Sequence, residues 1–214
     1  MTLTVESSSL SLNDVHRFLK LEKLLNGLFT DLLSLEPLSE LEQQDLLRIR
    51  NDFDRYLSAG KISEGLVKFL TIAPLMRLAG FYDVPIRLTM EDSIAIAVED
   101  EDKRITGRMD ILAINSPQSI IAPPFWVLVI ETKNSAINVI EGLPQLITYA
   151  FKSLEQQSSV WGLVTNGQLY QFVYLRCEDQ PIYQLMPLLN LTESLGAIKL
   201  LQVLKSICKL PNFQ

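Results

Sequence analysis

Histidine is nearly absent from this chain of 214 residues, which contains only His16. That residue lies in a helix-like stretch, "SLNDVHRFLK", far in sequence from the other polar motifs, and a lone histidine there is typical of a surface or boundary position. The scarcity excludes chemistry that needs several histidines, such as that of zinc peptidases and histidine-rich nucleases, and the isolated position of His16 argues against Ser-His-Asp hydrolases. Any catalysis is therefore expected to use carboxylates, lysine and a hard metal ion.

Cysteine, long apolar runs and glycine-rich loops are also scarce. The two cysteines, Cys177 and Cys208, have no metal-like spacing, so a reduced, cytoplasmic protein is expected. The start "MTLTVESSSL" lacks the basic and apolar parts of a signal peptide, and no apolar run approaches the roughly 18 residues of a membrane span. We therefore expect no membrane association. No Walker-type glycine loop occurs, which argues against nucleotide-driven movement along DNA by this chain alone.

Basic residues are in the minority. The chain has 19 lysines and arginines against 25 acidic residues, for a net charge of −6. Nucleic-acid-binding proteins usually carry a basic surface, so this balance argues against that class, although a local groove can be basic on an acidic protein. Apolar residues make up 48 % of the chain and charged residues 21 %, a composition that favours a packed core over disorder.

The first 60 residues have the apolar spacing of helices. Residues 15–35 predict one amphipathic helix, and Ser39 with Glu42 predicts a capping box that begins a second helix. Together they predict an N-terminal helical hairpin, residues 1–60, appended to a main domain, residues 61–214. The leucine-rich faces of the hairpin fit packing on the core, and they would equally serve as a surface for a homodimer or a partner protein.

The rest of the chain predicts a mixed sheet with helices on its faces, an α/β (α+β) fold. A third helix strained at Pro74 precedes three strand-like segments, "VPIRLTM", "SIAIAVE" and "GRMDILAI". The acidic run "EDEDKR" between the last two is expected to be a solvated hairpin connection, with a metal- or protein-binding loop as the alternative. The sequence after these segments predicts, in order, a central strand, a crossover helix from about Leu143, a hairpin at Asn166-Gly167 and a final helix capped by Thr192.

The central strand, "FWVLVIETK", ends in charge. Its six apolar residues indicate burial on both faces, yet Glu131 and Lys133 follow directly, and burying either charge is costly unless it is paired or bound. Strand alternation places both side chains on one face, about 7 Å apart. An antiparallel arrangement would bring Asp110, in the preceding strand, beside Glu131. Two neighbouring carboxylates repel, and a divalent cation relieves the repulsion, so the trio predicts metal-assisted hydrolysis of a phosphodiester.

Five motifs occur in order between residues 63 and 176. They are Glu64 at a helix start, Gly107-Arg108-Met109-Asp110, Glu131-Thr132-Lys133, the pair Gln145 and Tyr149, and the turn Thr165-Asn166-Gly167. This series resembles the PD-(D/E)xK nuclease superfamily, and within it most closely the N-terminal nuclease domain of type I restriction enzyme motor subunits and their stand-alone relatives. The resemblance covers about half the chain, and Met109 stands where the superfamily name has proline.

The resemblance implies a restriction-endonuclease-like fold and a Mg²⁺- or Mn²⁺-dependent deoxyribonuclease that cleaves DNA with metal-activated water. It further implies that Asp110 is the central metal ligand, that Glu131 and the backbone carbonyl of Thr132 complete the protein ligands, and that Glu64 is an auxiliary ligand. Lys133 would position or activate the attacking water.

For the helical pair, the resemblance implies that Gln145 and Tyr149 orient the lysine or contact a phosphate. Each site residue also has a plainer explanation. Glu131 and Lys133 could be a solvated strand end, and Gln145 and Tyr149 could be helix boundary residues. Asp110 could be a structural carboxylate, and Glu64 could be favoured by the helix dipole alone. The competing function is a binding or regulatory module on the same fold that is not itself a working enzyme, or that acts only with a partner.

Overall fold

A computed structural model describes residues 3–98, 102–116 and 125–210, and in them the chain forms one mixed sheet flanked by helices. The nine described strands are β1 (Leu3–Glu6), β2 (Glu22–Lys23), β3 (Ile86–Val98), β4 (Lys103–Asn115), β5 (Phe125–Thr132), β6 (Ser159–Thr165), β7 (Leu169–Cys177), β8 (Pro181–Leu185) and β9 (Leu189–Asn190).

The sheet has the strand order β1-β4-β5-β6-β7-β8-β2, with β3 also paired to β4 and β9 to β7. The pairs β1–β4, β5–β6 and β2–β8 are parallel, and the other pairs are antiparallel. The mixed sheet with flanking helices expected from the sequence is therefore confirmed.

Seven α-helices lie in the described parts of the chain: α1 (Leu12–Leu19), α2 (Phe29–Leu32), α3 (Glu40–Ser58), α4 (Glu64–Val67), α5 (Ala73–Ala79), α6 (Leu143–Ser153) and α7 (Ser194–Cys208). A π-helical turn, Lys68–Ile72, joins α4 to α5, and a 3₁₀ turn, Val139–Gly142, precedes α6. None of these helices is long and apolar enough to cross a bilayer.

Both faces of the sheet are covered, as the continuous apolar run of β5 predicts. Leu128 and Ile130 belong to a core shared with α3, α5 and α7, whereas Val129, between them, belongs to a second core shared with α1 and α6. The polar end of β5, Glu131 and Thr132, follows these apolar residues directly and is also buried.

The predicted N-terminal helical hairpin is wrong. Residues 15–35 do not form one helix, because α1 ends at Leu19 and is followed by Lys20, which has a left-handed φ of 50°. The next residues form β2, which pairs with β8, and β1 likewise joins the sheet beside β4. Backbone hydrogen bonds to the sheet therefore override the helical spacing of the leucines. The second predicted helix is confirmed as α3, which begins at the expected capping box of Ser39 and Glu42.

The first two predicted strands, residues 84–90 and 93–99, fall on one strand, β3 (Ile86–Val98), and residue 99 lies outside the described residues. β3 runs through Glu91, whose φ of 60° disturbs the strand locally, and it pairs along its length with β4. Residues 99–101 of the acidic run "EDEDKR" lie outside the described residues. The flanking pair of Val98 with Lys103 is antiparallel.

Three local predictions can be compared directly. Pro74, which has no N–H group, lies in the first turn of α5. The strain expected there takes the form of the π-helical turn that directly precedes α5. The hairpin turn at Asn166-Gly167 is confirmed, with Gly167 at a φ of 90° between β6 and β7. The predicted cap at Thr192 is wrong, because its hydroxyl donates to Asn190 and Glu193 precedes α7 instead.

Candidate functional site

The polar ends of β4 and β5 meet at one edge of the sheet. Ile111 lies opposite Ile130 in the antiparallel pairing of these strands, so the next positions along them are Asp110 and Glu131. Two carboxylates that are 21 residues apart in sequence therefore lie on neighbouring strands. Because β5 also pairs with β6 in parallel, this edge is fixed from both sides by backbone hydrogen bonds.

Asp110 is held by three donors. Its Oδ2 atom accepts hydrogen bonds from the Thr132 backbone N–H at 2.7 Å and from the Thr132 hydroxyl at 2.6 Å. Its Oδ1 atom accepts from Lys68 Nζ at 2.7 Å. The carboxylate is thus fixed in orientation across the β4–β5 boundary, and its negative charge is balanced by an ammonium group.

Lys68 links Asp110 to Glu64. Its Nζ atom lies 3.0 Å from Glu64 Oε1, and the two residues are four apart in one helical segment, as favourable ion pairs are. Burial alone would lower the pKa of Lys68, but the hydrogen bonds to Asp110 and Glu64 outweigh it and raise the pKa above its ordinary value. The side chain therefore carries a stable positive charge at the centre of the acidic group.

Glu131 is the most buried charged residue of the site, with 3 % of its surface exposed. Its Oε1 atom accepts a hydrogen bond from Lys133 Nζ at 2.7 Å, whereas its Oε2 atom is buried without a hydrogen-bond partner among the described residues. Burial, and then the negative charge of Asp110, raise the pKa of Glu131 to about 8, although Lys133 opposes the shift. A buried carboxylate with a free oxygen is costly, which makes this atom a candidate for binding a cation.

Lys133 is held in place from the opposite side by α6. Its Nζ atom donates to Gln145 Oε1 at 3.0 Å, and Gln145 Nε2 donates to the Tyr149 hydroxyl at 2.7 Å. These two residues lie on one face of α6 because they are four apart. The Lys133 ammonium is therefore hydrogen-bonded to α6 through Gln145, which in turn is bonded to Tyr149.

The chain of hydrogen bonds continues into the N-terminal segment. Ser7 Oγ donates to the Tyr149 hydroxyl at 3.0 Å, and the Arg108 backbone N–H donates to the same oxygen at 3.2 Å. Burial raises the pKa of Tyr149, which keeps the hydroxyl protonated. The space is tight, because a Cβ atom on Gly107 would lie 2.2 Å from Ser7 Oγ.

Two contacts of the site, that of Lys68 with Asp110 and that of Ser7 with Tyr149, were not predicted from the sequence. Lys68 stands four residues after Glu64, a spacing that predicts their ion pair, but its bond to Asp110 depends on how the helix packs against β4. Ser7 lies 142 residues from Tyr149, and no sequence pattern connects them.

The structure brings together Asp110, Thr132 and Lys68 on one side, and Glu131, Lys133, Gln145 and Tyr149 on the other. Within the described residues, no three Asp, Glu, His or Cys side chains form a group arranged to hold a metal ion. Glu64, whose side chain is 44 % exposed, is linked to Asp110 through the Lys68 ammonium, which pairs with both carboxylates.

Comparison of the sequence with protein-family models and with curated proteins finds no match. The arrangement offers carboxylate oxygens for a hard cation, an oriented ammonium beside them, and a hydroxyl network that fixes that ammonium.

Proposed function

We propose that this protein is a metal-dependent deoxyribonuclease of the PD-(D/E)xK type, with a restriction-endonuclease-like fold, that hydrolyses DNA phosphodiester bonds using Mg²⁺ or Mn²⁺. The observation that carries the proposal is the Glu131 carboxylate. One of its oxygens is bound to a lysine that α6 holds in position, and the other is buried without a partner. A strand end that was only a stable part of the fold would not need such a costly acid.

The residues present fit a divalent cation. The Oε2 atom of Glu131, which has no partner among the described residues, is a hard oxygen donor. Burial, and then the charge of Asp110, raise the pKa of this carboxyl even though Lys133 pairs with its other oxygen. Asp110, Glu131 and the carbonyl of Thr132 would hold the ion, and Glu64 would assist. When bound, such an ion supplies an activated water nucleophile and stabilises negative charge on a phosphate.

Lys133 has the position that the proposed reaction needs. Its ammonium is fixed between Glu131 and Gln145, so little freedom is lost when it binds a water molecule or a phosphate oxygen. Pre-positioned positive charge of this kind stabilises the negative charge that develops during attack on a phosphodiester. Tyr149 acts on Lys133 through Gln145 and is a positioning residue.

DNA is the proposed substrate because of the ordered series of motifs that ends at the Asn166-Gly167 turn. Four of its five members lie at or beside the site: Glu64, Asp110, the Glu131–Lys133 triplet and the Gln145–Tyr149 pair. The turn also reaches towards this region, because the Asn166 side-chain amide donates to the Ile137 carbonyl, four residues beyond Lys133.

A second candidate is a binding module that cleaves nothing by itself or only with a partner protein. One observation favours it: the Lys68 ammonium already forms ion pairs with both Asp110 and Glu64. In a module of this kind Lys68 would be a permanent structural partner, and no metal would bind.

The test is cleavage of matched single- and double-stranded DNA by the purified protein with Mn²⁺, beside an Asp110→Asn variant. Asp45→Asn is the control, because Asp45 makes only an exposed ion pair with Arg48 on α3. We expect the wild type and Asp45→Asn to cleave equally, and Asp110→Asn to lose about 100-fold or more of the rate, since it removes a ligand and a charge at the reacting centre.

Equal cleavage by Asp110→Asn and wild type would overturn the proposed site. DNA binding without cleavage by any of the three proteins would favour the binding module instead.

A further inference from the structure

Lys68 binds the one carboxylate oxygen of Asp110 that Thr132 does not contact. Both hydrogen bonds from Thr132 go to Oδ2, and the ammonium takes Oδ1 at 2.7 Å. A divalent cation bound to Asp110 would therefore contact the same oxygen as the ammonium or sit beside it. Two positive charges within about 4 Å repel strongly in a poorly solvated site, so a cation that shares Oδ1 weakens the bond from Lys68 to Asp110. Lys133 differs, because it binds Glu131 Oε1 and leaves Oε2 open.

The helix offers the displaced ammonium a second position. Glu64 already accepts from Lys68 Nζ at 3.0 Å, and its side chain is 44 % exposed, whereas that of Lys68 is 15 % exposed. A lysine has a flexible four-carbon stem, so its head can leave Asp110 and stay paired with Glu64 closer to solvent. The π-helical turn begins at Lys68 itself, and such turns occur often at functional sites.

We propose that Lys68 is an intramolecular competitor of the divalent cation, so that the site alternates between a state closed by the ammonium and a state loaded with metal. This inference rests on the proposed function. Lys68 sets the apparent metal affinity and keeps Asp110 paired when no metal is present. The acids are thereby kept from repelling one another in the metal-free protein.

The direct test is calorimetric titration of Mn²⁺ into metal-free protein, without DNA, for the wild type and for Lys68→Met. Methionine has a similar unbranched stem and no charge. We expect Lys68→Met to bind Mn²⁺ about tenfold more tightly, because no ammonium has to be displaced. Lys205→Met is the matched control: Lys205 is buried to a similar degree, 19 % exposed, and pairs with Glu42, which is outside the site.

A second measurement uses the wild type alone and does not depend on how the variant folds. Amine-reactive labelling read by mass spectrometry reports how free each lysine is. With saturating Mn²⁺ we expect labelling of Lys68 to increase several-fold, and labelling of Lys205 to stay unchanged.

The outcomes separate this inference from the proposed function. Mn²⁺ binding that is equal or weaker in Lys68→Met, or unchanged labelling of Lys68 in a wild type that binds Mn²⁺, would overturn the competitor role and leave the metal site standing. Absence of Mn²⁺ binding by both the wild type and Lys68→Met would overturn both proposals.

Discussion

At the scale of single residues, the account depends on Glu131. Its carboxyl is buried between the charges of Asp110 and Lys133, and burial has the larger effect on it. A raised pKa means that the folded protein holds the proton of this group more tightly than the unfolded chain does. The charged form of Glu131, which a metal site needs, is therefore disfavoured in the metal-free protein.

This cost predicts a pH dependence of stability. Because the pKa of Glu131 rises from 4.5 to about 8 on folding, its contribution to stability is fully present below about pH 4.5 and is lost as the pH rises through about 8. Glu131→Gln removes this titration. With a chelator present, we expect the variant to gain at least about 1.4 kcal/mol of unfolding free energy relative to wild type between about pH 4.5 and 8.5.

Chemical denaturation at several pH values measures this difference. Glu155→Gln, which removes a carboxylate that pairs with Lys152 at the surface, serves as the control. If the stability curves of Glu131→Gln and wild type run parallel over the whole pH range, the proposed strain at Glu131 is contradicted.

Some residues of the site were predictable and others were not. Glu131 and Lys133 were predictable because charged residues are rare at the end of a buried strand. Their spacing of two residues places both side chains on the same face of the strand. Gln145 and Tyr149 are spaced by one helical turn. Lys68 and Ser7 reach the site only through tertiary packing, so local spacing carries no information about these contacts.

At the scale of elements, the site depends on the close packing of β4, α6 and the segment after β1. Ser7, Tyr149 and the Arg108 backbone N–H meet at one hydroxyl oxygen, next to the glycine that precedes Arg108. A side chain on Gly107 would meet Ser7 Oγ at 2.2 Å and the Tyr149 ring and hydroxyl at 2.8 and 2.9 Å. The glycine is therefore needed for close approach of three elements.

Gly107→Ala is expected to destabilise the protein by about 1–3 kcal/mol, because the new methyl group forces Ser7 and Tyr149 apart in a filled space. Gly65→Ala is the matched control. Gly65 lies in α4 with nothing within 4 Å of the added Cβ, so its substitution should leave stability equal or slightly higher. Urea unfolding of both variants measures the effect, and equal stabilities would contradict the packing described for Tyr149.

Elements were predictable where the local pattern agreed with the tertiary structure. The capping box of α3, the crossover through α6 and the Asn166-Gly167 turn each combine a local pattern with a matching environment. The leucines in residues 15–35 have helical spacing, but Glu22 and Lys23 within this stretch form β2, which pairs with β8. The sequence predicted two separate strands on either side of Glu91. The structure has one strand, β3, because β4 pairs with it on both sides of that residue.

At the scale of the whole molecule, the arrangement unites parts of the chain that are far apart in sequence. The N-terminal segment contributes Ser7, and α4 with the π-helical turn after it contributes Glu64 and Lys68. The strands β4 and β5 contribute Asp110 and Glu131. The net charge of −6 gives the molecule no general attraction for DNA. Any binding must therefore come from local groups at the site, and cleavage should weaken steeply as salt concentration rises.

The most direct measurement of the central claim is the rate of Mn²⁺-dependent DNA cleavage by wild type and by Lys133→Ala, in one assay. Lys152→Ala, which loses only a surface ion pair with Glu155, is the control, and thermal unfolding of each protein establishes that it is folded. The account predicts that Lys152→Ala cleaves like wild type and that folded Lys133→Ala loses about 100-fold or more of the rate. Cleavage by Lys133→Ala at the wild-type rate would contradict it.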